Sequence, residues 1–189
     1  MRVELMAGQY LDVYEQALAS ESVERSLKVA RYKSGKYTIE RPLHFGAALG
    51  NGKSDLFNTY SNYGLPLGEA FQLRDDILGI FGDPQETGKP AGDDLREGKR
   101  TVLLAKVMEL ADSSQKSEIH SALGNQSLEI SQVAKVRDIF VSTGALSEVE
   151  ELISTLTSNA QSALEHGEID PLALNALTQL LTIVTQRKL

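Results

Sequence analysis

The chain has 189 residues, of which 41% are hydrophobic and 24% charged, and a formal net charge of −7. That length and composition describe one globular domain with a sizeable core, and the acidic balance excludes a nucleic-acid binder, which needs a basic footprint. The absence of cysteine excludes a disulfide framework and thiolate metal sites.

The start, "MRVELMAGQYLD", lacks the continuous apolar stretch of a signal peptide. No later apolar run approaches the roughly 20 residues of a membrane span, so a cytoplasmic protein is expected. Residues 2–18 place Val3, Leu5, Met6, Tyr10, Leu11, Val13, Tyr14 and Leu18 at helical spacing. Residues 22–33 continue as helix, and Pro42 marks a helix start or kink within 37–49. A long helix is predicted over 54–81, bent near Gly64 and Pro66. The stretch "GDPQETGKPAGDDLREGK" (82–99) is a loop whose length favours a functional role.

Beyond it, "TVLLAKVMELA", a segment at 114–123 and "EISQVAKVRDIFVSTGAL" are helical, with Gly144 as a C-cap. An amphipathic helix follows, capped by Gly167, and Pro171 opens the last one. No apolar–polar alternation persists long enough for a sheet, and no internal repeat occurs. The fold class is all-α.

The chemistry concentrates in the long helix. At 100° per residue, Glu69, Gln72, Asp75, Asp76, Gly79 and Asp83 share about a third of the circumference, and apolar residues take most of the rest. A helix so apolar belongs in a core, and its polar stripe must face water, a cavity or compensating charge. Two carboxylates about 5 Å apart repel by roughly 3 kcal/mol at an effective dielectric of 20. A divalent cation reverses that sign, and all-oxygen ligands suit Mg²⁺, which keeps waters and shares substrate phosphates. Basic residues flank this helix in sequence: Lys33 and Lys36 in "RYKSGKYT", then Lys89, Lys99 and Arg100 around the Gly-rich loop. Lysines on Gly-containing segments suit phosphate contacts. Carboxylates and lysines together suggest a metal-bridged diphosphate site.

These blocks resemble the trans-isoprenyl diphosphate synthases, the farnesyl and geranylgeranyl diphosphate synthase family. "FQLRDDILGIFGDPQETGKPAGDDLREGKRT" is similar to the family's second aspartate-rich motif with its following loop. "GQYLD" resembles the helix before the Lys-Thr motif, and "YKSGKYT" resembles that motif with Ser34 in the threonine's place. The wording is most similar to bacterial geranylgeranyl-type enzymes. The resemblance implies an isoprenoid synthase helical bundle in which an allylic diphosphate ionises with Mg²⁺ assistance and isopentenyl diphosphate attacks the cation. It implies Asp75 and Asp76 as metal ligands, and Lys33, Lys89 and Lys99 as contacts to the allylic diphosphate. Gln72 would line the site, while the Ser34 carbonyl and Gln9 would stabilise the allyl cation. Asp94 matches the acidic residue of the closing loop. A homodimer is implied where the full domain is present.

Two departures stand out. The third aspartate of the second motif is replaced by Gly79, as in some family members, and no DDxxD or DDxxxxD precedes residue 75. The basic N-terminal segment that would hold isopentenyl diphosphate is also missing. Residues 1–189 therefore resemble the C-terminal part of one synthase domain, lacking the N-terminal helices, with apolar faces left uncovered. The competing reading is a catalytically incompetent truncated product, or a non-catalytic subunit that pairs with an intact synthase. The retained lysines and aspartate pair favour a piece of an active enzyme.

Other readings are weaker. "GNGKSD" needs a glycine at position 47 to be a P-loop, and Ala47 stands there. His44, His120 and His166 lack the spacing of a zinc site. A terpene cyclase would carry an Asn/Asp–Ser/Thr–Glu motif in place of DDxxG.

Overall fold

A computed structural model describes residues 1–88 and 90–185, and every regular element among them is helical. In chain order these are α1 (Arg2–Ala17), α2 (Val23–Ala30), a π-helix (Arg31–Glu40), α3 (Arg41–Leu49), α4 (Ser54–Phe81) and α5 (Pro84–Thr87). Then come α6 (Asp93–Glu97), α7 (Val102–Leu110), α8 (Ser113–Ala122), α9 (Ile130–Ser142), α10 (Ala145–Glu165) and α11 (Pro171–Thr185).

Local chemistry sets many of these boundaries. Asp83 accepts from the Gln85 amide at 2.8 Å and Pro84 fills the first position of α5. Asp112 and Gln115 form a reciprocal capping box on α8, both bonds at 2.9 Å. Asp170 accepts from Leu172 at 2.9 Å, just ahead of Pro171. Pro66 lies inside α4 without ending it.

Three expectations need correction. The helix through 22–33 changes character after Ala30 and runs on as a π-helix to Glu40, whose last turn closes with the Arg41 amide on the Lys36 carbonyl. This wider coil buries Ser34 and Gly35. The stretch 82–99 is not simply a loop but contains α5 and α6, with Gly88, Gly92 and Gly98 all left-handed. Gly167 does not adopt the left-handed C-cap conformation. It is small for another reason: a Cβ there would press on the Thr59 methyl at 2.5 Å.

The chain forms two compact units, interleaved in sequence. The first contains residues 1–11, 27–72 and 152–185. Its core joins Ile39, Tyr63, Leu67, Ala160, Leu164, Leu177, Leu181 and Val184. The Tyr63 hydroxyl donates to the Leu177 carbonyl at 2.8 Å, and burial raises its pKa above the ordinary phenol value. On α1, Val3, Met6 and Tyr10 are exposed at helical spacing and form an apolar stripe.

The second unit contains residues 12–26 and 73–151. Leu73, Ile77, Ile80, Leu95, Leu103, Leu104, Val107, Ile119, Val136 and Phe140 are buried there. Phe81 meets Phe140 edge-on with centroids 6.3 Å apart. No helix among the described residues is long and apolar enough to cross a membrane.

Candidate functional site

In the first unit, three glycines bring backbones together around Ser34. A Cβ on Gly8 of α1 would meet the Lys33 nitrogen at 2.9 Å, and one on Gly35 would meet the Leu65 carbonyl at 3.3 Å. A Cβ on Gly68 would overlap the Gly35 Cα outright. The resulting close crossing lets the buried Ser34 hydroxyl donate to Gln72 Oε1. Ser34 and Gln72 are thus brought together. Lys33 is half-buried beside Ser34, and Gln9 is exposed on α1.

Two other charged residues of this unit have structural partners. Arg31 pairs with the buried Glu69, neutralising one member of the stripe on α4. That hydrogen bond is also the main reason the Arg31 pKa rises. Lys36, noted in the sequence as a phosphate-type lysine, lies 3.4 Å from Glu40 and 3.6 Å from Glu4.

In the second unit, Asp75 is half-buried and Asp76 is buried at 6% exposure, between the fully buried Leu73 and Ile77. Asp83, placed on the stripe by helical projection, caps α5 instead. Lys99 is held by Asp94, with Glu97 at 3.2 Å. Burial works against its charged form, but the hydrogen bond and charge of Asp94, aided by Glu97, outweigh it and raise the pKa. Lys89 lies outside the described residues. Arg74, unremarked in the sequence, grips Glu150 with two nitrogens at 2.5 and 2.7 Å. The signal was a basic residue inside an apolar helix, which needs a carboxylate partner when it is buried.

Among the described residues no three acidic or histidine side chains cluster as a metal cage. The donor set is a pair of carboxylates, which fits Mg²⁺, an ion usually bound by one or two carboxylates with waters and phosphates completing its shell.

These features define a class: an all-α protein with a helix-borne carboxylate pair and an anchored lysine, suited to an oxygen-ligated cation and a polyanion. The sequence profile of the Polyprenyl synthetase family matches residues 1–140, and the chain belongs to that family. Geranylfarnesyl diphosphate synthase of Aeropyrum pernix is 30% identical over 186 residues, covering 98% of this chain and 57% of the relative. The crystal structure of geranylgeranyl pyrophosphate synthase from Corynebacterium glutamicum, complexed with isoprenyl diphosphate and magnesium, superposes with a TM-score of 0.95 at 42% identity, covering 100% of this chain and 53% of that one. Geranylgeranyl pyrophosphate synthetase of Pyrococcus horikoshii gives 0.87 at 26% identity, covering 98% of this chain and 55% of that one. The all-α isoprenoid synthase fold is therefore that of this chain, which spans about half the length of these relatives.

Proposed function

We propose that this chain is a prenyltransferase polypeptide that acts in the head-to-tail condensation of an allylic diphosphate with isopentenyl diphosphate. The observation that carries the proposal is the Asp75–Asp76 pair, fixed on α4 between the fully buried Leu73 and Ile77. Rigid helical backbone holds both carboxylates ready for a cation. Asp75 and Asp76 would hold Mg²⁺, which when bound supplies positive charge against the leaving diphosphate. Lys33 and Lys99 bind the diphosphate of the allylic substrate, with Lys89 contributing to the same charge. As its C–O bond breaks, the bonding pair leaves with the diphosphate, and these lysines stabilise the growing negative charge. Ser34 and Gln72 position each other along the wall of the allylic chain. By the family resemblance the Ser34 carbonyl and Gln9 would stabilise the cation that the isopentenyl double bond attacks, and the proton released passes to the departing diphosphate. The family resemblance implies a homodimer where the full domain is present.

The test combines the purified chain with labelled isopentenyl diphosphate, an allylic diphosphate and Mg²⁺, with Asp75→Ala as control. Labelled prenyl diphosphate that disappears in the variant assigns turnover to this chain and the metal role to Asp75. Because the chain spans about half of its relatives, a second reading has its own signature. Mg²⁺-dependent binding of the allylic diphosphate without turnover supports that reading, a catalytically incompetent chain that retains the allylic half of the site.

A further inference from the structure

Within the second unit, Asp94 is buried at 4% exposure. Its carboxylate lies directly against the bare Cα of Gly79, so that a Cβ at residue 79 would overlap both oxygens and the carboxyl carbon. The same carboxylate accepts from Lys99 Nζ. A second tie runs through the backbone, where the Lys99 amide donates to the Asp94 carbonyl at 3.1 Å and the Gly98 amide to the Leu95 carbonyl at 3.1 Å. That pair of bonds is a Schellman turn, and it needs the left-handed Gly98, at φ 69°. Residues 94 and 99 are thus bound to each other twice, by main chain and by side chain.

We propose that Asp94 is a positioning residue that presents the Lys99 ammonium, and that position 79 is glycine because the Asp94 carboxylate occupies the space of its side chain. The inference rests on the assignment of Lys99 to the diphosphate made above. An ammonium has three protons. Asp94 takes one and Glu97 lies within reach of a second, which leaves a third, aimed by the other two, for a phosphate oxygen. A lysine without such anchors spreads over many rotamers and loses that aim. Asp94 has only two side-chain torsions and a buried setting, so a methyl group at position 79 displaces its carboxylate from Lys99.

The experiment uses the full chain, Mg²⁺ and inorganic pyrophosphate as the probe, with affinity read by calorimetry and the Lys99 ammonium observed directly by ¹⁵N NMR. Asp94→Ala and Gly79→Ala are each expected to weaken pyrophosphate binding about tenfold, the scale of one lost charge-assisted hydrogen bond. Each is also expected to lose the slowly exchanging ammonium signal. Added to Asp94→Ala, the Gly79→Ala change is expected to cost less than about twofold more, because the displaced group is already gone. This double variant also has room for the methyl, so the coupling stays measurable if Gly79→Ala alone folds poorly. Wild-type affinity and an intact ammonium signal in Gly79→Ala or Asp94→Ala, with binding lost in Lys99→Ala, overturn the positioning role. Full affinity in Lys99→Ala overturns the diphosphate assignment itself, and the positioning role with it.

Discussion

Arg41 closes on Glu4 with two nitrogens, Nε at 2.9 Å from one carboxylate oxygen and Nη2 at 2.5 Å from the other. The hydrogen bond from Arg41 is the main cause that lowers the Glu4 pKa from 4.5 to about 2, with Lys36 adding to it. A carboxylate depressed in the folded state stabilises the fold above its unfolded pKa, and that contribution fades as pH falls through the folded value. The pair is partly exposed, so solvent screening holds the effect to about 1 kcal/mol. Urea unfolding between pH 5 and about 2 is expected to show this extra loss in the wild type and not in Glu4→Gln.

The crossing of Gly35 and Gly68 predicts a clear cost for a single methyl. Gly68→Ala forces a Cβ into the Gly35 backbone, an overpacking worth about 2 kcal/mol. It also pushes Ser34 away from Gln72. Gly46 is the control: it lies within α3 and a Cβ there meets nothing within 4 Å. Gly46→Ala is expected to stabilise by about 0.5–1 kcal/mol, the helix-propensity difference. Thermal melts of the two variants should move in opposite directions.

The sequence made α4 legible from end to end, because apolar spacing over 54–81 survives Gly64 and Pro66. It also marked Asp75 and Asp76, since two charges inside an apolar helix need an explanation. Three features were not legible. The π-helix has no local signature, as its buried Ser34 and Gly35 depend on a glycine 33 positions further on. Lys36 resembles a phosphate ligand until Glu4, from the start of the chain, is placed beside it. Gly79 stood out as a missing aspartate, but its reason is the Asp94 carboxylate, 15 residues away. Each concerns a contact between distant segments, which periodicity does not encode.

Arg137 terminates α4 from outside. Its Nε donates to the Ile80 carbonyl at 2.7 Å and Nη2 to the Gly82 carbonyl at 3.4 Å, while the guanidinium lies 5.8 Å from the Phe81 ring centroid. Burial lowers its pKa, yet a guanidinium stays protonated throughout the accessible range. Arg137→Met keeps most of the packing and removes the donors at the helix C-terminus. The expected loss is about 2 kcal/mol in denaturant unfolding, with little dependence on pH between 5 and 9.

Tyr63 tests a buried hydrogen bond in isolation. Removing its hydroxyl leaves the Leu177 carbonyl one partner short. That carbonyl sits within α11, where a helical amide also serves it, so Tyr63→Phe should cost only about 1 kcal/mol. A loss several times larger would mean that the ring itself had moved from the core.

The carboxylate pair makes a prediction that does not depend on turnover. A ligand that binds only the folded state stabilises it by about 2.7 kcal/mol at a hundredfold excess over its Kd, or several degrees for a chain of this size. Mg²⁺ with pyrophosphate is therefore expected to raise the melting temperature of the wild type, and a chelator to abolish the rise. Asp75→Asn and Asp76→Asn keep the side-chain shape while removing the charge that attracts the cation, so both should lose most of the shift. Asp76 is the more deeply buried of the two, so the melting temperature of its variant is compared with the wild type both without and with ligand. Stability gained without ligand and lost with it would separate the binding role of that carboxylate from any structural one. An undiminished shift in both variants would remove Asp75 and Asp76 from the cation site and leave the anion to basic side chains.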